Sequence, residues 1–193
     1  MAEGRGGVVL SIGAPGVVTC TSEELGQRVR RSLRALFAAG WPEPEHAFDE
    51  HDWEHMLGGT HFLLLGDGEP IAHAAVVRRQ LEAGGVPLAT GYVEAVATAP
   101  PLQRRGLGTR VMQAVNAHID AGCELGALGT GVHAFYEPLG WRVWRGPTGV
   151  RTREGVATTP EDDGHVLVRT TPQTPALDPA APLVCDWRAG DVW

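Results

Sequence analysis

Apolar and polar positions change period several times along the chain, and each change marks an element. Leu25, Val29, Leu33, Leu36 and Phe37 recur at helical intervals, while Arg28, Arg30, Arg31 and Arg34 fall mostly on the other faces, so an amphipathic helix is expected here. Thr21-Ser22-Glu23-Glu24 ahead of it has the form of a capping box, and Gly40 with Pro42 end it. A short helix is expected from Trp53 to Leu57, stopped by Gly58-Gly59. The period then shortens. Residues 61–65, 71–77 and 91–97 are apolar runs separated by Gly66-Asp67-Gly68 and Gly84-Gly85, which predicts a three-stranded antiparallel meander. After Pro100-Pro101 the helical spacing returns at Leu107, Val111, Ala114, Val115 and Ile119 and closes at Gly122. A strand at 125–128, a short helix at 133–139 and a strand at 141–144 follow. The order β-β-β-α-β-α-β implies one parallel crossover inside a mixed sheet. From 146 onward Gly, Pro and Thr dominate, with strand-like runs at 165–168 and 183–185, and residues 1–20 read as a ragged Gly-rich segment running into a first strand.

Charge and composition narrow the classes. Sixteen Lys+Arg against 23 Asp+Glu give a net charge of −7, which argues against a nucleic-acid partner. The acidic balance suits a cationic partner, but many ordinary cytoplasmic proteins are also acidic, and charge alone favours plain solubility. No apolar run approaches the roughly 20 residues of a bilayer span, and no convincing signal peptide precedes the first helix, so no membrane association is expected. Cys20, Cys123 and Cys185 are odd in number and far apart, which fits a reducing cytoplasm better than a disulfide framework. No CxxC pair is present, and His51, His55, His61, His73, His118, His133 and His165 have no metal-binding spacing; they read as surface or core histidines, and no metal is expected. The length of 193 residues fits one domain, 1–193.

The segment that carries chemistry is Gln103-Arg104-Arg105-Gly106-Leu107-Gly108, between a strand and a helix. Free N–H groups and the positive dipole end of a helix start make an anion site, and the arginines add charge for phosphates. The segment lacks the Gly-Lys-Ser/Thr of a P-loop and the third glycine of a dinucleotide fingerprint. A Gly-x-Gly at a helix start also occurs as an ordinary entry turn. Glu94 lies on the preceding strand and Tyr136 in the short helix after the next one. By themselves they read equally as a solvent-side strand position and as a core aromatic beside Phe135 and Trp141.

The order strand, Gln103-x-x-Gly106-x-Gly108, helix, strand, then Phe135-Tyr136-Glu137-x-x-Gly140-Trp141 resembles the GCN5-related N-acetyltransferase (GNAT) superfamily. Further blocks resemble its aminoglycoside 2′-N-acetyltransferase family. They are Asp52-Trp53-Glu54-His55, Leu57-Gly58-Gly59, residues 71–76, 91–94, 146–148 and 159–164, and the ending 185–193. The ending is the most specific of these, whereas the Gln-x-x-Gly-x-Gly signature is shared by many unrelated acyltransferases. The resemblance implies an α+β GNAT fold with a mixed, mostly antiparallel central sheet flanked by helices. It implies acetyl-CoA as cosubstrate and transfer of its acetyl group to the 2′-amine of an aminoglycoside antibiotic, with resistance as the consequence. Gln103, Arg104, Arg105, Gly106, Leu107, Gly108 and Thr109 would bind the cofactor. Val96 would pair with the pantetheine arm and polarise the thioester carbonyl with its N–H. Glu94 would act as base through water and Tyr136 as acid toward the leaving thiolate. The resemblance also implies that residues 146–193 form a substrate-side extension, and that the protein is a cytoplasmic homodimer.

The chemistry asks for the same roles. An ammonium is not a nucleophile, so a base must take a proton, and direct attack leaves the cysteines idle. A polyammonium sugar must also meet carboxylates. Asp52, Glu161, Asp162, Asp163, Asp186 and Asp191 are candidates, and the resemblance singles out Asp162, Asp191, Trp193 with its terminal carboxylate, and the Glu94 side chain. Ala47 stands where the family often carries an aspartate, and the segment 129–136 is shorter and less polar than in the family. Two other functions stay open. One is the same chemistry on another amine, such as a cell-wall amino sugar or a polyamine; the other is a non-catalytic protein that binds acyl-CoA or aminoglycoside.

Overall fold

The computed structural model describes Ser11–Ile12 and residues 16–193; most of the expected N-terminal ragged segment lies outside these residues. The chain runs β1 (Ser11–Ile12), β2 (Val17–Thr21), α1 (Gln27–Gly40), α2 (Glu50–His55), β3 (Thr60–Gly66), β4 (Glu69–Ala83) and β5 (Val86–Thr98). It continues with α3 (Leu107–Gly122), β6 (Leu125–Gly129), α4 (His133–Tyr136), β7 (Arg142–Val143), β8 (Thr148–Thr152), β9 (Gly155–Thr158), β10 (Val166–Thr170) and β11 (Leu183–Asp186). Along the sheet the order is β1-β2-β3-β4-β5-β6-β10-β7, with β11 joining β4 to β8 and β8 to β9. Among these pairs only β5–β6 and β8–β11 are parallel, so the sheet is mixed and mostly antiparallel, as expected.

The meander closes with two-residue turns at Asp67-Gly68 and Gly84-Gly85, all four residues at positive φ, the geometry that matches strand twist. β4 is longer than the apolar run predicted. Its polar half, through Arg78-Arg79-Gln80, pairs with β5, and Leu81–Ala83 also pair with β11.

Helices cover both faces. Val111, Met112, Val115 and Ile119 of α3 are fully buried in one core with Phe62, Leu128 and Trp141. Leu33, Leu36 and Phe37 of α1 and Trp53 of α2 form a second core on the other face. A third lies around Leu81, Leu88, Tyr92 and Trp144, over the far halves of β4 and β5. Burying each large side chain of this kind contributes about 1.5–3 kcal/mol.

Three expectations need correction. Thr21 does not cap α1. It is the last residue of β2, paired with Thr60, and its N–H donates to Glu24 Oε2 at 2.7 Å in a separate turn. α1 starts at Gln27 after Gly26, with the Arg30 guanidinium holding the Ser22 and Leu25 carbonyls of that turn. α2 begins at Glu50 rather than Trp53, because Asp49 and Asp52 form a reciprocal cap, each side chain 2.9 Å from the other's N–H. The stretch after 146 also holds the β8–β9 hairpin, which the Gly/Thr composition concealed. Among the described residues no helix is long and apolar enough to cross a membrane.

Candidate active site

The sheet opens where β5 and β6 part. β6 pairs with β5 only from Thr90↔Leu125 to Tyr92↔Ala127. Beyond that point β5 runs on to Thr98, while β6 stays with β10 as far as Gly129↔Val166. A cavity of about 920 Å³ fills the wedge, lined by residues 93–98 of β5, residues 128–132 after β6, and the first turn of α3.

On its other edge β5 is bulged. Glu94 pairs with Ala75 and Ala97 with His73, so Ala95 and Val96 stand opposite Ala74 alone. Ala95 takes φ 51°, a left-handed conformation that costs an alanine about 1 kcal/mol. The bulge leaves Val96 without a register partner on β4, and Val96 lines the cavity.

The floor of the wedge is the start of α3. Gly106 is its N-cap at φ 78°, and Arg104 before it also has positive φ, 61°. The first N–H groups of a helix have no carbonyl of their own to bond. Gly108 lets this turn approach its neighbours: a Cβ there would lie 3.2 Å from Phe135 Cζ and 3.3 Å from Thr98 Oγ1. Gln103 donates to the Thr98 carbonyl at 3.2 Å and ties the loop to the strand end. A long cleft with an unpaired strand edge and free helical amides at one end fits an acyl-CoA thioester, whose pantetheine is amide-rich and whose diphosphate is anionic.

Glu94 is enclosed. Its side chain is 15% exposed, and it receives Arg188 Nη1 at 2.5 Å. Burial pushes its carboxyl above the ordinary range, and Arg188 only partly offsets that. Arg188 Nε also donates to the Asp191 carbonyl at 2.7 Å, and its guanidinium lies 5.4 Å from the Tyr92 ring centre. Arg79 sits over the same ring at 4.6 Å. The Tyr92 hydroxyl is buried at the wedge without a hydrogen-bond partner among the described residues. Tyr136 is 8% exposed, lines the wedge, and packs edge-on against Phe135 and Trp141; burial raises its hydroxyl well above the usual tyrosine range. Trp141 is fixed in turn by its indole N–H, 3.0 Å from Asn116 Oδ1.

A second cavity, about 520 Å³, adjoins the first and shares Glu94, Ala95, Gly129, Trp41 and Trp193 with it. Its walls are acidic: Glu45, Asp49, Asp52, Glu94 and Asp191 line it, and the Arg188 charge is already engaged by Glu94. The tail that forms one wall is tied down at several points. His55 Nε2 lies 2.7 Å from the Ala189 carbonyl, and the Trp193 indole donates to Thr159 Oγ1 at 3.0 Å. Gly190, at φ 75°, packs so closely on α2 that a Cβ would lie 2.7 Å from His51 Cβ.

Of the residues singled out in the sequence, Val96, Gln103, Arg104, Gly106, Leu107, Gly108, Thr109 and Tyr136 line the wedge, Asp52 and Asp191 the acidic cavity, and Glu94 and Trp193 both. Among the described residues, Arg105 and Asp162 line neither. Asp162 instead lies near Asp191, and burial raises its carboxyl. Asp163 accepts from the Thr148 N–H and hydroxyl, and Asp186 pairs with Arg151 at 2.9 Å, so both serve the fold. Sequence reasoning missed Arg188 and the acidic contributions of Glu45 and Asp49. For Arg188 the available signal was its place inside the Cys185–Trp193 block.

Residues 27–141 match the acetyltransferase (GNAT) family. The chain belongs to that family. It is 40% identical over 176 residues, 89% of each chain, to an aminoglycoside 2′-N-acetyltransferase of Mycolicibacterium fortuitum. Among solved structures it resembles a GNAT family acetyltransferase from Brucella melitensis in complex with acetyl-CoA, with a TM-score of 0.57, 14% identity, and coverage of 90% of this chain and 96% of the other. It also resembles a probable N-acyltransferase of Enterococcus faecalis V583, with a TM-score of 0.53 and 18% identity; the match covers 66% of this chain and 32% of that longer one. The likeness to the Brucella melitensis protein shows the GNAT fold.

Proposed function

We propose that the protein transfers the acetyl group of acetyl-CoA directly to the 2′-amine of an aminoglycoside. The observation that carries this reading is the junction at Glu94: a cleft with free helical amides meets a carboxylate-lined trough, and one buried carboxylate belongs to both. The 40% identity to the M. fortuitum enzyme supports the acceptor class.

The first turn of α3, from Gly106 to Thr109, holds the diphosphate with its N–H groups, and Gln103 and Arg104 flank it. The unpaired edge of β5 takes the pantetheine amides as an adjacent strand would. The Val96 N–H donates to the thioester carbonyl and stabilises the charge that builds on its oxygen. Glu94 takes a proton from the acceptor ammonium through water, so the amine attacks the carbonyl carbon directly. Tyr136, kept protonated by burial, gives its proton to the departing sulfur. Asp52 and Asp191 face the remaining ammonium groups of the sugar, with Trp193 closing the trough. Modification of the drug in this way removes a positive charge and produces resistance.

Release of free CoA, followed with a thiol reagent, tests the acceptor. Aminoglycosides with a 2′-amine are expected to release CoA rapidly, and those with a 2′-hydroxyl, linear polyamines and cell-wall amino sugars slowly. Equal or faster release with the polyamines or the amino sugars would overturn the acceptor assignment.

A further inference from the structure

Two buried imidazoles lie behind the bulge. His61 on β3 and His73 on β4 have no solvent exposure. Leu63 pairs with His73, so His61, two residues along β3, shares its face diagonally. The contacts form one line. Ser22 Oγ is 2.7 Å from His61 Nε2, His61 Nδ1 is 3.0 Å from His73 Nε2, and His73 Nδ1 is 2.8 Å from the Ala95 carbonyl oxygen.

The last partner fixes the direction of all three bonds. A carbonyl oxygen only accepts, so His73 carries its proton on Nδ1. A neutral imidazole has one N–H, so His73 Nε2 accepts from His61 Nδ1–H, and His61 Nε2 accepts from the Ser22 hydroxyl. Ser22 Oγ in turn receives the Gly58 N–H at 2.9 Å. Burial lowers His61 to about 4 and His73 to about 3, so both rings are neutral at neutral pH. A carbonyl cannot pass a proton on, so the line is not a proton path into the site. What it reaches is the backbone of Ala95, the residue at positive φ between Glu94 and Val96.

We propose that the one-way chain Ser22–His61–His73 holds the Ala95 carbonyl and thereby fixes the β5 bulge that presents Glu94 and the Val96 N–H, making His73 a positioning residue for acyl transfer. This role rests on the reading of Glu94 and Val96 given above. The chain compensates a backbone conformation that the Ala95 side chain disfavours. It anchors the bulge from the side away from the wedge, through β3 and the turn before α1.

The test compares wild type with His73→Leu, which removes the donor, and His73→Asn, whose amide can donate from near the Nδ1 position. Three readouts are used: steady-state kinetics with a 2′-amino aminoglycoside, the bound carbonyl resonance of acetyl-CoA labelled with carbon-13 at the thioester carbon, and nitrogen-15 NMR of the imidazoles. His73→Leu is expected to lose about 10- to 100-fold in kcat with acceptor KM within about 3-fold, the signature of a displaced reacting group. Its bound carbonyl resonance should move back toward that of free acetyl-CoA. His73→Asn should restore most of kcat and the resonance. Wild-type His61 and His73 should both be protonated on Nδ1 alone. A His73→Leu enzyme with wild-type kcat and resonance, equal losses in the two variants, or a wild-type His73 protonated on Nε2 would overturn the proposal. If His73→Leu does not fold, His73→Asn and the wild-type nitrogen spectrum decide. A wild-type carbonyl resonance that does not move on binding would sink the Val96 role itself, whereas a moved resonance that persists in His73→Leu would sink only the positioning role.

Discussion

Arg188 Nη1 donates to Glu94 Oε1 at 2.5 Å, and this ion pair ties the C-terminal tail to the strand that carries the proposed base. Both side chains are about one-sixth exposed, so the pair is largely shielded from water. Burial raises the Glu94 carboxyl, and Arg188 is the largest of the influences that hold it down. Replacing Arg188 with Gln therefore raises the Glu94 pKa further. A base must be ionised to act, so the acid limb of the kcat/KM profile should move to higher pH. A limb that stays in place would mean that Arg188 does not set the charge of Glu94.

Glu94→Gln removes the base and keeps the shape. A loss of about 10²-fold or more in kcat/KM is expected near neutral pH, the usual weight of a positioned general base. The residual rate should climb with pH as the free amine becomes abundant. Full activity across the pH range would exclude Glu94 as the base.

Gly106 and Gly108 should fail in different ways. A Cβ on Gly106 meets nothing within 4 Å, so Gly106→Ala carries only the cost of φ 78°, about 1 kcal/mol. Gly108→Val meets Phe135 and Thr98 and intrudes on the wedge. Thermal unfolding should show a lowered melting temperature for the first with acetyl-CoA affinity, measured by calorimetric titration, within a few-fold of wild type, and the same titration should show a much larger loss for the second. The reverse order would contradict the placement of the diphosphate at this turn.

His61 and His73 should make the fold acid-sensitive. Their folded pKa values, about 4 and about 3, lie below the unfolded value near 6.5. The unfolded chain therefore binds more protons below pH 6.5. Stability is fully present above that pH and falls as pH drops toward 4, by about 1.4 kcal/mol per pH unit for each imidazole. Melting temperatures between pH 7 and 4.5 measure this, and His61→Asn should flatten the slope.

Much of this was legible in the chain. The meander, its two Gly-containing turns and α3 follow from hydrophobic period and turn chemistry, because β3 and β4 carry near-continuous apolar runs covered on both faces and α3 buries a single stripe. The β8–β9 hairpin did not show, because every residue of β9 is exposed and leaves no apolar pattern. The cap of α1 was misplaced because Thr21 belongs to a strand whose partner, Thr60, lies far along the chain. The bulge was invisible because Ala95 adopts a conformation for which sequence would suggest Gly or Asn. Arg188 and the His61–His73 line depend on pairings across more than ten residues, which no local period encodes.

Locating the acetyl group on the product is the most direct test of the proposed chemistry. A gentamicin- or tobramycin-type drug incubated with the protein and acetyl-CoA, then examined by mass spectrometry and NMR, should carry one acetyl unit on the 2′ nitrogen. Acetyl on another amine, or an unmodified drug in the presence of active protein, would contradict it.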